Sequence, residues 1–224
     1  MKKQSRLKKA LVTYIRGNKM QVHTMEQYSD EYWKAKLGKV SASGAVKIVS
    51  PTGKASASCK DYLFKKLAEL ETGEREETAL TYAMKRGLAL EPEARKRFAF
   101  MTGLEVAEVG LVTNKKYDYM CCSPDGLDPK YRKFGVEIKC PMPGEQLRTR
   151  FENEIPTKYK PQVFFSLWLC TSIEKWYYFS YHPDMEPVLL SVDRENESYK
   201  KYISALVKSL CGVEKVIGQV KALL

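Results

Sequence analysis

Acidic and basic residues with the spacing of a hydrolytic metal site lie in the middle of the chain. Asp125 stands in a Ser-Pro-Asp-Gly turn, and eleven residues separate it from Glu137. The apolar run 134–140 predicts a strand, so Glu137 and Lys139 point to one face and Ile138 to the other. Two carboxylates and the Ile138 carbonyl form an all-oxygen ligand set that Mg²⁺ prefers. Because Lys139 can position a water or neutralise a developing phosphorane charge, the pattern indicates metal-assisted phosphodiester hydrolysis.

A simpler interpretation of this pattern is a turn that leads into a strand whose Glu and Lys are merely solvated. The composition of the chain helps to decide between these two interpretations. The chain has 224 residues, a net charge of +11 and only two histidines. A Ser-His-Asp triad or a His-rich zinc site is therefore hard to build, and Cys140 has no histidine to activate it as a nucleophile. The basic excess favours a nucleic-acid partner over a role in solubility alone.

Domain organisation and compartment follow from the same composition. No run of about 18 apolar residues is present, so we expect no membrane span, and the N-terminus lacks the apolar middle of a signal peptide. The six cysteines show no CxxC spacing and predict reduced, mostly buried thiols in a cytosolic protein. Residues 1–19 are basic and predict a leader or arm, and residues 20–224 predict a single domain.

Hydrophobic periodicity predicts an α/β fold with a central mixed sheet flanked by helices. Pro92 predicts a kink or break near residues 87–90 within the third helix. Predicted helices cover residues 30–37, 58–71, 77–101, 145–153, a segment from about 157, and 197–223. Predicted strands cover residues 104–112, 119–122, 134–139, 175–181 and 188–192.

Three polar features along these elements have two interpretations each. Ser41 and Ser43, beside Lys36, either form an anion site at a helix start or simply cap that helix. Glu91, taken alone on its helix, is interpreted as a surface residue. Gln162 opens an otherwise apolar helix face and is either a satisfied core group or a site residue.

The ordered motifs resemble the PD-(D/E)xK nuclease superfamily, whose fold is that of the type II restriction endonucleases. More specifically, they resemble the phage-type alkaline exonucleases of the lambda exonuclease kind, also called YqaJ-like viral recombinases. The matches cover residues 26–182 in five collinear blocks. These blocks contain Trp33, Leu37-Gly38 and Ser41-Ala42-Ser43; Gly87, Glu91, Ala94-Arg95 and Phe98; Cys122-Ser123-Pro124-Asp125-Gly126-Leu127; Glu137-Ile138-Lys139-Cys140-Pro141; and Gln162-Val163, Ser166 and Trp168.

The resemblance implies a role for each matched position. It implies that Asp125, Glu137 and the Ile138 carbonyl hold Mg²⁺, with two ions expected and Mn²⁺ able to substitute. Lys139 would orient or activate the attacking water. Glu91 would reach in as a further metal or water ligand, which reverses its surface interpretation. Two further residues complete this implied centre: Gln162, which would hold the water or metal environment, and Tyr159, which would lie close by.

The resemblance also implies a pocket for a terminal 5′-phosphate, formed by Lys36, Ser43 and Ser123. Tyr159 is grouped with these DNA-binding residues. The family's phosphate-binding arginine is replaced here by Lys36, which supplies charge without a bidentate fork, so phosphate dependence is expected to be weaker. Met84 lies where the family places an apolar wedge that splits terminal base pairs, and ordinary core packing is its alternative.

The function implied by the resemblance is a Mg²⁺-dependent exonuclease. It would digest one strand of linear double-stranded DNA from the 5′ end, release 5′-mononucleotides and leave a 3′ overhang. It would act as a ring-shaped homotrimer with a phage single-strand annealing protein, in the cytoplasm of a bacterial host and without a membrane. The alternatives are a structure-specific or restriction-type endonuclease on the same fold, or a catalytically silent DNA-binding module.

Overall fold

The computed structural model describes residues 12–14, 20–76 and 79–223. The predicted basic leader over residues 1–19 lies outside the described residues, except that Val12–Tyr14 pairs antiparallel with Met20–His23 at the edge of a sheet. No helix among the described residues is long and apolar enough to cross a membrane.

Six helices and nine strands make up the described chain. The strands are β1 Val12–Tyr14, β2 Met20–His23, β3 Val40–Ser41, β4 Leu111–Asn114, β5 Tyr117–Cys122, β6 Gly126–Leu127, β7 Phe134–Lys139, β8 Lys175–His182 and β9 Met185–Asp193. The helices are α1 Asp30–Lys36, α2 Cys59–Thr72, α3 Tyr82–Thr102, α4 Pro143–Glu152, α5 Lys160–Leu169 and α6 Glu197–Lys221. A short 3₁₀ helix, Ala42–Lys47, follows β3.

The predicted mixed α/β class is confirmed, but the strands form two mixed sheets instead of one central sheet. The first has the order β1-β2-β4-β5-β3 and the second the order β6-β7-β8-β9. Among the described strands, only β3–β5 and β7–β8 pair in parallel. The division falls between β5 and β6, where Pro124 cannot donate a ladder hydrogen bond. Asp125 therefore lies in the turn that joins the two sheets.

Of the kink or break predicted near residues 87–90 in the third helix, the break is wrong. Helix α3 begins at Tyr82 and continues through Pro92 to Thr102, where Gly103 ends it in the left-handed conformation as expected. One proline removes a single helical hydrogen bond, and the packing of Ala94 and Phe98 in the core holds the rest of the helix. Part of the predicted extension before Tyr82, residues 77 and 78, lies outside the described residues.

The predicted strand 104–112 is largely wrong, because the ladder begins only at Leu111. Before it, the backbone makes an isolated bridge between Ala107 and Leu127. The Val109 carbonyl accepts a hydrogen bond from the Gln27 side chain at 3.0 Å instead of from a neighbouring strand. A side chain from a distant segment thus replaces the expected strand partner.

Strand β7 separates two hydrophobic clusters and carries the motif between them. Its residues Val136 and Ile138 pack with Ala94 and Phe98 of α3. Glu137 on the opposite face contacts α5, most of whose side chains are buried in the larger core cluster. The alternation predicted for this strand therefore places apolar residues against α3 and the polar pair towards α5.

Candidate active site

The centre of the site is the carboxylate of Glu137, which is only 1% exposed. Its Oε1 accepts hydrogen bonds from Lys139 Nζ and from Gln162 Nε2, each at 2.5 Å. Lys139 stands two residues along β7, and Gln162 lies in the first turn of α5. Of its two open interpretations, Gln162 is thus a residue of the site rather than an isolated core amide.

Asp125 joins this group from the turn between the two sheets. Its Oδ2 accepts a hydrogen bond from the Ile138 backbone N–H at 2.6 Å, and its own N–H donates to the Val136 carbonyl at 3.2 Å. These two bonds fix the turn against β7. The structure therefore brings Asp125, Glu137 and Lys139 together, as their spacing predicted.

Helix α3 contributes Glu91 and an arginine to which sequence reasoning gave no role. Arg95 Nη2 pairs with Glu91 Oε1 at 2.6 Å, its Nε donates to the Asp125 carbonyl at 2.7 Å, and its Nη1 pairs with Glu108 at 2.9 Å. The Glu91 side chain is only 20% exposed, so its interpretation as a surface residue is wrong. The available signal for Arg95 was its position four residues after Glu91 on one helix face.

Burial of several carboxyl groups in one place changes their acidity. Burial, and to a smaller extent the nearby Asp125, raise the pKa of Glu137 to about 8 against the opposing charge of Lys139. Burial and then Asp125 raise the pKa of Glu91 to about 7. The pKa of Asp125 is raised by burial as well, although Lys139 and the Ile138 N–H oppose that change. The raised pKa values thus come mainly from burial of the carboxyl groups, which Lys139 and Arg95 offset only in part.

Lys139 stays charged in this environment. Burial by itself lowers its pKa, but Glu137 and Asp125 together raise the pKa above its usual value. A lysine that remains protonated cannot abstract a proton from water at neutral pH. Its contribution is therefore a positive charge and a hydrogen-bond donor next to Glu137.

The donor set suits a hard divalent cation, since Asp125, Glu137, Glu91 and the Ile138 carbonyl supply only oxygen. Among the described residues, however, no three His, Cys, Asp or Glu side chains lie close enough together to hold a metal ion as they stand. Lys139 and Gln162 are bonded to Glu137, and Arg95 is bonded to Glu91. A cation would have to replace part of these contacts, and its charge would favour the ionised form of the carboxyl groups, which burial disfavours.

A second group of polar side chains contains two of the residues assigned to phosphate. Lys36 Nζ donates to the Tyr32 hydroxyl at 2.6 Å, and that hydroxyl lies 2.9 Å from Ser123 Oγ. Tyr32, which sequence reasoning gave no role, therefore joins Lys36 to Ser123. Its position four residues before Lys36 on α1 was the available signal. Lys36, Tyr32 and Ser123 are called the anion group below.

The third residue assigned to phosphate, Ser43, is linked to the anion group less directly. Its Oγ lies 3.0 Å from Ser41 Oγ, and Ser41 caps the 3₁₀ helix through the Gly44 N–H at 3.3 Å. Ser41 also stands opposite Cys121 in the β3–β5 pairing, two residues before Ser123. The helix-capping role that was predicted as the alternative therefore belongs to Ser41. The Ser43 hydroxyl lies beside it and is not the cap.

Tyr159 and Met84 lie elsewhere around the site. Lys139 Nζ lies 5.3 Å from the centre of the Tyr159 ring, so this tyrosine lies beside Lys139 rather than beside Lys36. Met84 is 48% exposed in the first turn of α3, which disagrees with core packing. Arg86, two residues later, donates to the carbonyls of Cys140 and Pro141 at 2.8 and 2.9 Å and fastens this end of α3 beside the end of β7.

Cys140 does not serve as a nucleophile in this arrangement. Burial, with a contribution from Glu91, raises the pKa of its thiol to about 12. Thiols react as thiolates, so a neutral Cys140 agrees with the packing role expected for it.

Comparison with known proteins identifies a family model and several crystal structures that are similar to this chain. Residues 31–173 match the model of the YqaJ-like viral recombinase domain. The chain resembles crystal structures of LHK-Exo, an alkaline exonuclease from Laribacter hongkongensis. The structure with dAMP has 27% identity and a TM-score of 0.71, covering 87% of this chain and 97% of that one. A second LHK-Exo structure has 26% identity and a TM-score of 0.66, covering 88% and 100%.

A phage-related exonuclease from Haemophilus somnus 129PT shares the fold, with 17% identity, a TM-score of 0.54, and coverage of 81% of this chain and 96% of that one. No curated protein matches the sequence.

Proposed function

The chain belongs to the YqaJ-like viral recombinase family, and from this premise we propose that it is a Mg²⁺-dependent 5′-to-3′ exonuclease on linear double-stranded DNA. The family and the alkaline exonuclease structures support a nuclease function. The observation that carries the finer proposal is that Asp125 and Ser123 stand in one turn. Asp125 belongs to the carboxylate cluster of β7, and Ser123 belongs to the anion group.

Hydrolysis relies on the polar face of β7. The oxygens of Asp125, Glu137, Glu91 and Ile138 would hold Mg²⁺, which would polarise the scissile phosphate and make its bound water more acidic. Lys139 supplies the fixed positive charge that stabilises negative charge developing on the phosphate. Gln162 holds the Glu137 carboxylate in place, and Arg95 holds Glu91 against the Asp125 backbone.

In this proposal, the anion group would set the direction of digestion. A terminal 5′-phosphate bound by Lys36 and Ser123 would place the next phosphodiester near Asp125, so that each cut releases one 5′-mononucleotide. Repeated cuts would leave the other strand as a 3′ overhang. LHK-Exo has been crystallised in complex with dAMP, a mononucleotide of the kind that this reaction would release. Ser43 and Tyr159 would bind DNA at the margins of this path.

Strand separation, assembly and cellular context complete the proposal. The exposed Met84 would act as the wedge at the terminal base pairs. A homotrimer ring would surround the duplex, and a phage single-strand annealing protein would receive the overhang in the cytoplasm of the bacterial host. Large exposed apolar side chains on the single chain, such as Phe100 at 81% and Phe151 at 89%, support contacts with other chains.

Incubation with two DNAs tests the proposed activity. A linear duplex with 5′-phosphates and a covalently closed circle are incubated with the wild-type protein in Mg²⁺, in EDTA, and with Asp125→Ala in Mg²⁺. We expect the linear DNA alone to be degraded to mononucleotides, and only by the wild type with Mg²⁺. Cutting of the circle would identify an endonuclease on this fold, and intact DNA under all metals would identify a silent DNA-binding module.

A further inference from the structure

Tyr28, just before α1, has a backbone conformation that costs the protein stability. Its φ is +69°, in the left-handed region that glycine and asparagine tolerate and that a bulky aromatic residue rarely adopts. The side chain is 52% exposed, so burial of the ring only partly offsets this strain. Residues held in such strained backbone conformations concentrate at functional sites.

The segment around Tyr28 is fastened to the turn that carries Asp125. Gln27 Nε2 donates to the Pro124 carbonyl at 2.9 Å and to the Val109 carbonyl at 3.0 Å. These contacts fix the backbone immediately before Tyr28. These hydrogen bonds therefore tie the position of the exposed ring to the turn that carries Asp125.

The Tyr28 ring lies near both polar groups of the site. Its centre is 5.7 Å from the ring of Tyr32, whose hydroxyl contacts both Lys36 and Ser123. The charges of the Glu91 and Asp125 carboxylates also act on the Tyr28 hydroxyl. Burial first, and then Glu91, raise the pKa of Tyr28 to about 12, so the phenol remains neutral beside DNA.

We propose that Tyr28 is the stacking platform for the base of the 5′-terminal nucleotide. This inference rests on the proposed function, in which the terminal phosphate lies at the anion group and the next phosphodiester lies at the carboxylates. The nucleoside between those two phosphates would then lie close to the Tyr28 ring. An exposed neutral aromatic face binds any base without sequence preference, as digestion of arbitrary DNA requires.

The direct test uses 2-aminopurine, a base whose fluorescence falls when it stacks, at the 5′ terminus of a phosphorylated duplex. Binding is measured with Asp125→Ala protein, so that hydrolysis does not interfere. We expect quenching on binding, retention of quenching with Tyr28→Phe, and its loss with Tyr28→Gly. A duplex with the probe at an interior position is the control, and its fluorescence should not depend on residue 28.

Kinetics and stability separate this role from a structural one. In the active protein, Tyr28→Gly should raise KM for the linear duplex by about 5- to 100-fold, the range expected for loss of one stacked base. Its melting temperature should not fall, because glycine relieves the strain at φ +69°. Tyr131→Gly is the matched control, since Tyr131 also has a positive φ, of 55°, but lies in the turn before β7, at the end opposite Lys139. It should leave KM unchanged.

Three results would overturn the proposal. The first is equal quenching in Tyr28→Gly and Tyr28→Phe, and the second is loss of quenching in both. The third is a rise in KM that occurs only with a fall in melting temperature. If the wild-type protein cleaves no DNA, the proposed function fails, but the quenching assay still decides whether Tyr28 stacks on a bound terminus.

Discussion

Glu137 is the residue on which the other side chains of the candidate site converge. Lys139 and Gln162 both donate to its Oε1, and the charge of Asp125 acts on it from the adjoining turn. Because these partners come from one strand, one helix and one turn, the carboxylate is held from three directions. A site held in this way loses little free energy in reorganisation when substrate charge develops.

Arg95 is predicted to position the site without touching the DNA. Arg95→Gln should lower kcat by about 10- to 100-fold, the usual cost of losing a residue that orients metal-binding groups. KM should stay near the wild-type value, since no DNA contact is removed. Steady-state kinetics on the linear duplex measure both constants.

Two matched variants sharpen the Arg95 prediction. Arg95→Lys keeps the charge but loses the fork that spans Glu91 and the Asp125 carbonyl, so it should recover only part of kcat. Glu108→Gln removes only the ion pair to an exposed carboxylate and should have little effect. An Arg95→Gln protein with wild-type kcat, or one whose loss matches that of Glu108→Gln, would contradict the role.

Sequence reasoning succeeded at this scale where residue type and spacing were both informative. Asp125, Glu137 and Lys139 were predictable because strand alternation and an acidic turn fix their relation. Arg95, Tyr32 and Tyr28 received no role, because arginines and tyrosines on helices and turns have many ordinary uses. Their partners lie up to 91 residues away along the chain, as with Tyr32 and Ser123, and only the fold reveals such contacts.

At the level of elements, the motif strand was predicted correctly at both ends, but the surrounding sheet was not. Strand β7 is short, apolar and bounded by turn residues, so local signals suffice. The division into two sheets depends on Pro124 and on the pairing of β3 with β5, which joins residues about 80 positions apart. The unbroken α3 depends on packing of Phe98 against β7 and β8, which outweighs the effect of Pro92.

Gly135→Ala tests the register of β7 against β8. Gly135 stands opposite Trp176, and an added Cβ would lie 2.4 Å from the indole ring. The variant should lose about 1–3 kcal/mol of unfolding free energy, as overpacked cores do. Urea denaturation measures the loss.

Gly144→Ala is the matched control for this substitution, because no heavy atom lies within 4 Å of its added Cβ. It should be neutral or slightly stabilising within α4. Equal stability of the Gly135→Ala and wild-type proteins would contradict the close approach of Trp176.

His23 gives stability a pH dependence that is separate from the active site. Burial, and then Lys39, lower its pKa below 6.5 in the folded protein, where Nε2 lies 2.9 Å from Thr113 Oγ1. The unfolded chain therefore binds the proton more readily. The contribution of His23 to the stability of the fold is fully present above pH 6.5. It is lost as the pH falls from 6.5 through the pKa that His23 has in the folded protein.

His23→Gln removes this titration, so the melting temperature of the wild type should fall further than that of the variant between pH 7.5 and 5.5. Differential scanning calorimetry at both pH values compares the two proteins. A parallel decline would show that His23 does not contribute.

At the level of the whole molecule, charge and exposed apolar surface act together. The net charge of +11 favours contact with DNA, and the exposed Phe100 and Phe151 favour contact between chains. Composition predicted a nucleic-acid partner, whereas the number of chains in the assembly was implied only by the resemblance.

Sedimentation equilibrium tests the proposed ring. The wild-type protein should sediment with three times its chain mass of 25.7 kDa at low salt and without DNA. The double variant Phe100→Ser/Phe151→Ser, which removes exposed apolar area without disturbing the core, should shift the equilibrium towards the single chain if either residue lies in the interface. A monomeric wild type at micromolar concentration would contradict the trimer.

The proposed 5′-to-3′ polarity is tested by following the fate of a 5′ label. One strand of a linear duplex carries a radioactive 5′-phosphate, and products are separated at early times with Mg²⁺ present. We expect the label to leave as a 5′-mononucleotide with the wild type and to stay on full-length DNA with Asp125→Ala. Release of longer labelled fragments, or shortening of the strand from its 3′ end while the label remains, would show that the enzyme does not digest DNA from the 5′ terminus.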